Sequence, residues 1–247
     1  MTNEALQALR RHGDLGVWSV LVSLFGDLVC TRDTRISGAN LMRVTGLMGI
    51  KPQAVRVALH RLRKDGWIVS EKTGRTSEYG LSGSAYAESL TAGRRIYARE
   101  TVRETGCFML IGEANGASVD GMRVATGVYI AARAPCPSPP GFLVIPGEPV
   151  ELPDWVKAAL GPAKLAQDYQ ALRQVLTFVA EELAREGAID AAESAALRVL
   201  IVHHWRRILL RHEDLAAQFF PAGWCGEECR ILVVKLLERL EKPAFAT

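Results

Sequence analysis

The run from Pro52 to Trp67, PQAVRVALHRLRKDGW, constrains this chain more than any other segment. Its apolar positions Val55, Leu59 and Leu62 recur at helical spacing, while Gln53, Arg56, His60 and Arg63 recur on the opposite side. A helix of this pattern buries one face and leaves a cationic one in water. That face suits a polyanion with a groove wide enough for a helix. Gln53, Arg56 and His60, toward its front, are the candidates for base edges, and Arg56 leads them because a guanidinium pairs well with guanine O6 and N7. Arg63 and Lys64, further along, fit phosphates.

The flanking segments support a DNA-reading unit over residues 14–83. Val17, Leu21, Leu24, Phe25 and Leu28 form the apolar stripe of an opening helix, which ends before the polar run at residues 31–35. Ser37 is placed to cap a second helix with Leu41, Val44 and Thr45 inward, and Gly46 to Gly49 turn the chain. Pro52 suits a first helical position, where its missing N–H costs nothing. After Gly66, residues 67–70 and 78–81 read as two short strands joined by a polar hairpin carrying Lys72 and Arg75. Three helices and a hairpin in this order predict a winged helix-turn-helix, with Lys72 and Arg75 on the wing near backbone or minor groove. Trp67 is expected to anchor the wing in the core, and Arg32 and Arg35 to be surface charges.

Charge is distributed in the same sense. Residues 1–100 hold 15 Lys/Arg against 9 Asp/Glu, whereas the other 147 residues carry a net −3. A cationic N-terminal portion suits double-stranded DNA. With 49% hydrophobic residues the chain is able to build more than one core, which argues against a disordered polypeptide. No apolar run is long enough to span a bilayer, residues 1–12 lack the order of a secretory signal, and five scattered cysteines suit reduced thiols, so the expectation is a soluble cytoplasmic protein with no membrane partner.

Residues 84–104 read as a linking helix capped by Ser84. Short apolar runs at 107–111, 128–131 and 142–145, separated by Gly- and Pro-rich connections, predict the strands of a small α+β unit over residues 105–152. Helical periodicity then returns over residues 153–242. Leu165, Tyr169, Leu172, Leu176, Val179 and Leu183 mark one helix, Leu197, Ile201, Trp205 and Ile208 a second, and Leu232, Leu236, Leu237 and Leu240 a third. The expected class is therefore α+β, with a C-terminal helical bundle.

Enzyme signatures are sparse. No glycine-rich phosphate loop opens a helix, and no Gly-x-Ser-x-Gly elbow is present. Glu113 and Asp120 share a loop region at a spacing that does not set them apart from solvated carboxylates. Cys225 and Cys229, with His203, His204 and His212 upstream, invite comparison with zinc sites, but the spacing matches no structural-zinc pattern and both thiols fit a helix entrance. No cofactor or metal is expected.

Several separated segments resemble the PaaX family of bacterial regulators, repressors of phenylacetate-type aromatic catabolism. They are SLFGD at 23–27, AVRVALHRL at 54–62 with KDGW at 64–67, YGLS at 79–82, LRVLIVHHWRR at 197–207 and FPAGWCG at 220–226. The resemblance implies a central ferredoxin-like domain at 105–152, a C-terminal effector and dimerisation domain at 153–242, and a homodimer released from its operator by an aryl-CoA thioester. On this basis Arg198, His203, Arg206 and Arg207, in the best-matching C-terminal segment, are candidates to meet the thioester's phosphates. The linking helix would carry the signal to DNA. A ferredoxin-like middle also occurs in nucleases, so a nucleic-acid-processing enzyme is the competing expectation.

Overall fold

The computed structural model describes residues 2–73, 76–100, 106–113 and 119–243. Among them are nine α-helices and two antiparallel sheets, an α+β chain. The elements fall into two compact units that are discontinuous in sequence. The first comprises Met1–Ala98, Ala171–Arg207 and Ile231–Thr247, the second Arg99–Gln170 and Ile208–Arg230. Compactness thus follows a different partition from four consecutive segments, because the C-terminal helices contribute to both units.

In the first unit α1 (Thr2–Arg11) precedes the region expected to open the fold, and it buries Ala5, Leu6 and Leu9. Its last turn is held by α8 (Ala191–Leu209), whose His204 Nε2 lies 2.8 Å from the Leu9 carbonyl. Helix α2 (Val17–Leu28) buries the expected stripe at Leu21, Leu24, Phe25 and Leu28, together with Asp27. Strand β1 (Ile36–Ser37) leads into α3 (Gly38–Leu47), where the Ser37 hydroxyl accepts from the Asn40 amide at 3.2 Å, a side-chain N-cap.

Helices α3 and α4 (Pro52–Lys64) stop by one device. Gly49 and Gly66 have φ of 75° and 74°, and the residues after them, Ile50 and Trp67, donate to carbonyls five positions back, at Thr45 and Leu62. This left-handed turn satisfies carbonyls that a helix end leaves open, and it favours glycine because a Cβ is strained there. Strands β2 (Ile68–Thr73) and β3 (Thr76–Leu81) then pair from Ile68↔Leu81 to Thr73↔Thr76, with β1 on the far side of β3. Helix α5 (Gly83–Ile96) follows. Its cap is Ser82, which accepts from the Ala85 amide, rather than Ser84, and the helix closes at Tyr97 instead of running to 104; residues 101–105 lie outside the described set.

The rest of the first unit's core comes from α8 and the adjoining parts of α7 (Ala163–Ala184) and α9 (Gly226–Arg239). Between Ala192 and Trp205, α8 buries Ala195, Ala196, Leu197, Val199, Leu200, Ile201 and Val202, far more than one stripe. Trp205 is buried, and its indole N–H donates to the Ile96 carbonyl at 3.0 Å.

The second unit is built on a four-stranded antiparallel sheet of order β5-β6-β4-β7, from β4 (Cys107–Gly112), β5 (Met122–Ala125), β6 (Val128–Ala131) and β7 (Phe142–Gly147). Strand β5 adds to the three expected from sequence. Helix α6 (Asp154–Leu160) supplies Val156 and Leu160 to a core with Ile130, Leu215, Phe219 and Phe220. Gly127 has φ of 71°, and a Cβ there would collide with the Gly112 carbonyl oxygen, so the β5–β6 turn needs glycine.

Candidate nucleic-acid interface

Helix α4 is amphipathic in the sense its sequence predicts. Val55, Ala58, Leu59 and Leu62 are buried, and Gln53, Arg56, His60, Arg63 and Lys64 are all exposed. Val57 is 61% exposed between Arg56 and His60, so the open face includes an apolar position suited to a thymine methyl. Arg61 is 3.7 Å from Asp65, whereas Arg56, Arg63 and Lys64 have no carboxylate partner among the described residues.

The β2–β3 hairpin is tied to the end of α4 through backbone. Trp67 donates its amide to the Leu62 carbonyl at 2.8 Å and accepts from the Ser82 amide at 3.0 Å. Its half-buried ring meets Trp18 of α2 edge to face, 6.1 Å between centroids. Lys72 is exposed on β2; Arg75 lies outside the described residues. Arg35 and Arg32 are more engaged than surface charges. Arg35 Nη1 donates to the Arg32 carbonyl at 2.7 Å, Nη2 lies 3.7 Å from Glu71, and its guanidinium covers the backbone at Gly80; Arg32 sits over the Tyr86 ring at 5.5 Å.

The four polar residues singled out on α8 are placed differently from one another. Arg198 is 4% exposed and Asp27 fully buried, and the two form a bidentate pair, Nε to Oδ2 at 3.0 Å and Nη2 to Oδ1 at 2.9 Å. Arg198 Nη1 donates to the carbonyls of Leu237 and Leu240. Tyr97 completes the cluster by donating its hydroxyl to Asp27 Oδ1 at 3.0 Å; burial first, then the charge of Asp27, raises that phenol well above its ordinary value, so it remains a donor. His203 is fully buried, its Nδ1 3.3 Å from Ser23 Oγ. Burial, followed by the neighbouring His204, Arg206 and Arg207, pushes His203 down to about 3, and it is neutral at physiological pH. Arg206 is turned to α2, donating to Ser23 Oγ at 2.6 Å and to Ser19. Arg207 alone of the four is exposed, and it donates to the Asp14 carbonyl at 2.8 Å.

Sequence reasoning missed Asp27, the acidic partner that gathers Arg198 and Tyr97. The signal was present: one carboxylate in the otherwise uncharged helix VWSVLVSLFGDL must be compensated if that helix is buried. In the second unit Cys225 and Cys229 are buried, and the Cys229 thiol donates to the Tyr169 carbonyl at 3.4 Å. His212 is engaged by the Tyr169 hydroxyl at 2.6 Å. No cluster of three or more His, Cys, Asp or Glu among the described residues is arranged to hold a metal ion. Glu113 and Asp120 are exposed.

These features define an α+β protein that presents an exposed basic helix beside a β-hairpin, and none of its described helices is long and apolar enough to cross a membrane. The chain matches the sequence profile of the PaaX-like protein family over residues 17–85 and that of the PaaX-like C-terminal domain over residues 162–246, and it belongs to that family. It is 24% identical over 263 residues to the transcriptional repressor PaaX of Escherichia coli K12, with 92% of this chain and 81% of that protein aligned. Among solved structures it is similar in fold to the uncharacterized protein Rv0674 from Mycobacterium tuberculosis, with TM-score 0.50 and 20% identity over 90% of this chain and 95% of the other.

Proposed function

We propose that this chain is a sequence-specific transcriptional repressor, that residues 14–83 act as a winged helix-turn-helix, and that α4 is the element entering the major groove. The observation that carries this reading is the exposure of Gln53, Arg56, His60, Arg63 and Lys64 along a helix whose other face is buried. In this reading Gln53, Arg56 and His60 touch base edges, Arg63 and Lys64 touch phosphates, and Lys72 and Arg75 extend the contact from the wing. The similarity to a named repressor supports it.

The finer parts of the proposal are a homodimer on a palindromic operator, control of an aromatic-acid (phenylacetate-type) catabolic operon, and release by an aryl-CoA thioester. For effector contact the role passes to Arg207, the exposed member of the α8 set. The sheet order β5-β6-β4-β7, with the first strand inside the sheet, agrees with a ferredoxin-like arrangement, although the described connection from β6 to β7 holds no helix. An effector acts only if it binds the DNA-competent and DNA-incompetent states with different affinity.

The test is to recover genomic fragments bound by the purified full chain, measure band shifts, and add aryl-CoA thioesters. Sequence-preferring shifts reversed by an aryl-CoA thioester and not by free CoA are the expected result. Shifts with no sequence preference, or cleavage of the duplex by clean protein, contradict the proposal.

A further inference from the structure

We propose that Arg10, on a helix outside the predicted DNA-binding region, is an additional phosphate contact that clamps the DNA backbone ahead of α4. This rests on the reading of α4 as the groove-entering element. Helix α1 is short, but it is held at both ends. The Thr2 amide donates to Glu186 Oε1 at 2.6 Å, and His204 Nε2 lies 2.8 Å from the Leu9 carbonyl, one residue before Arg10. Burial, followed by the charge of neighbouring His12, pushes His204 down to about 4, and a neutral ring with its proton on Nε2 donates to that carbonyl.

From this fixed backbone the exposed Arg10 side chain lies against the turn between α3 and α4. A Cβ built on Gly49 would fall within the guanidinium, 2.5 Å from Cζ and 2.8 Å from Nε, so the missing side chain of Gly49 makes the notch in which the guanidinium rests. Gly49 therefore has two uses: its φ of 75° closes α3, and its bare Cα seats a cation three residues before Pro52.

Charge pairing separates Arg10 from other cations of this unit. Arg43 is bound to Asp190 at 3.1 Å, Arg35 lies 3.7 Å from Glu71, and Arg61 lies 3.7 Å from Asp65. Arg10, Lys51, Arg56, Arg63 and Lys64 have no carboxylate partner among the described residues. Arg10 and Lys51 thus place positive charge at the approach to α4, with Arg56 within it and Arg63 and Lys64 toward its end. A phosphodiester flanking the base pairs read by α4 fits the first of these positions. A guanidinium already seated on a glycine offers its outer N–H groups with less side-chain entropy to lose than a free lysine.

The experiment compares wild-type chain, Arg10→Gln, Arg10→Lys and Arg56→Ala on a labelled duplex selected from a randomised pool by the wild-type chain, measured over a series of salt concentrations. Arg10→Gln is expected to weaken binding equally across operator variants and to reduce the slope of log K against log salt by about 0.9, the value of one phosphate contact. Arg10→Lys is expected to keep the slope. The inference is overturned if Arg10→Gln matches wild type in slope and affinity, or if Arg10→Lys loses as much as Arg10→Gln, since the seat on Gly49 would then matter for packing and not for charge. Those failures leave wild-type selection and the Arg56→Ala effect intact. A wild-type chain that selects no duplex overturns the DNA reading of α4 and this inference with it.

Discussion

Replacing Asp27 by asparagine isolates the charge of one buried carboxylate while nearly preserving its shape. Asp27 is fully buried on α2, and it accepts from Arg198 Nε at 3.0 Å, Arg198 Nη2 at 2.9 Å and the Tyr97 hydroxyl at 3.0 Å. At 2.9 Å and an effective dielectric constant of about 20, opposite unit charges attract by about 6 kcal/mol, which offsets the cost of taking both from water. In Asp27→Asn that attraction is lost while the Arg198 cation, 4% exposed, stays buried. Lys242, 3.8 Å from Asp27 and 44% exposed, is largely solvent-screened and adds little either way. Breaking one side of such a pair costs about 3–5 kcal/mol, or about 6–20 °C in melting temperature for a chain of this size. Urea denaturation followed by circular dichroism measures the loss. The double variant Asp27→Asn with Arg198→Met, which removes the stranded cation, should recover a large part of it. An Asp27→Asn chain within about 1 kcal/mol of wild type would show that the buried Arg198 cation does not depend on this carboxylate.

Two further outcomes follow from named groups. His203 and His204 are held at about 3 and about 4 in the fold, against 6.5 when exposed, so the unfolded chain takes up protons that the folded chain refuses. Stability is therefore complete above about pH 6.5 and falls as pH drops through the window to 5, by about 1.4 kcal/mol per pH unit for each histidine once the unfolded ring is protonated; urea midpoints across that window check it, and a flat profile contradicts it. Gly127→Ala drives a Cβ onto the Gly112 carbonyl at a φ of 71°, whereas Gly147→Ala on β7 meets open space. The first should cost about 1–3 kcal/mol and the second much less, and equal melting of the two variants would contradict the described turn.

The legible parts of this fold are those where sequence-local physics decides the outcome. The α4 stripe of Val55, Leu59 and Leu62, the Ser37 cap and Pro52 at the first helical position each act within one or two turns, and all three are realised. Helix α1 was not legible because Ala5, Leu6 and Leu9 make too short a stripe; their burial needs residues far along the chain, as the contact of Leu9 with His204 shows. Strand β5 spans only four residues, and Arg123 interrupts its apolar character, so the glycines that bound it at 121 and 127 read as turns with no strand between them. Arg198 reads as an ordinary cation on an amphipathic helix, since its partner Asp27 is 171 positions away. The exposed face of α4 was legible for the opposite reason: its residues depend on no distant partner. Arg10 shares that face's lack of a carboxylate partner, but its place beside Gly49 is a tertiary fact.

Arg56, exposed on the outward face of α4, is the residue whose removal decides whether that face reads a base sequence as proposed. Affinities of wild type and Arg56→Ala, measured at one salt concentration over a panel of single-base-pair operator variants, separate reading from mere attraction. The predicted result is a loss of about 1–3 kcal/mol on the preferred operator, with discrimination relaxed at one base pair and retained elsewhere. Unchanged affinity and unchanged preference at every position would contradict it.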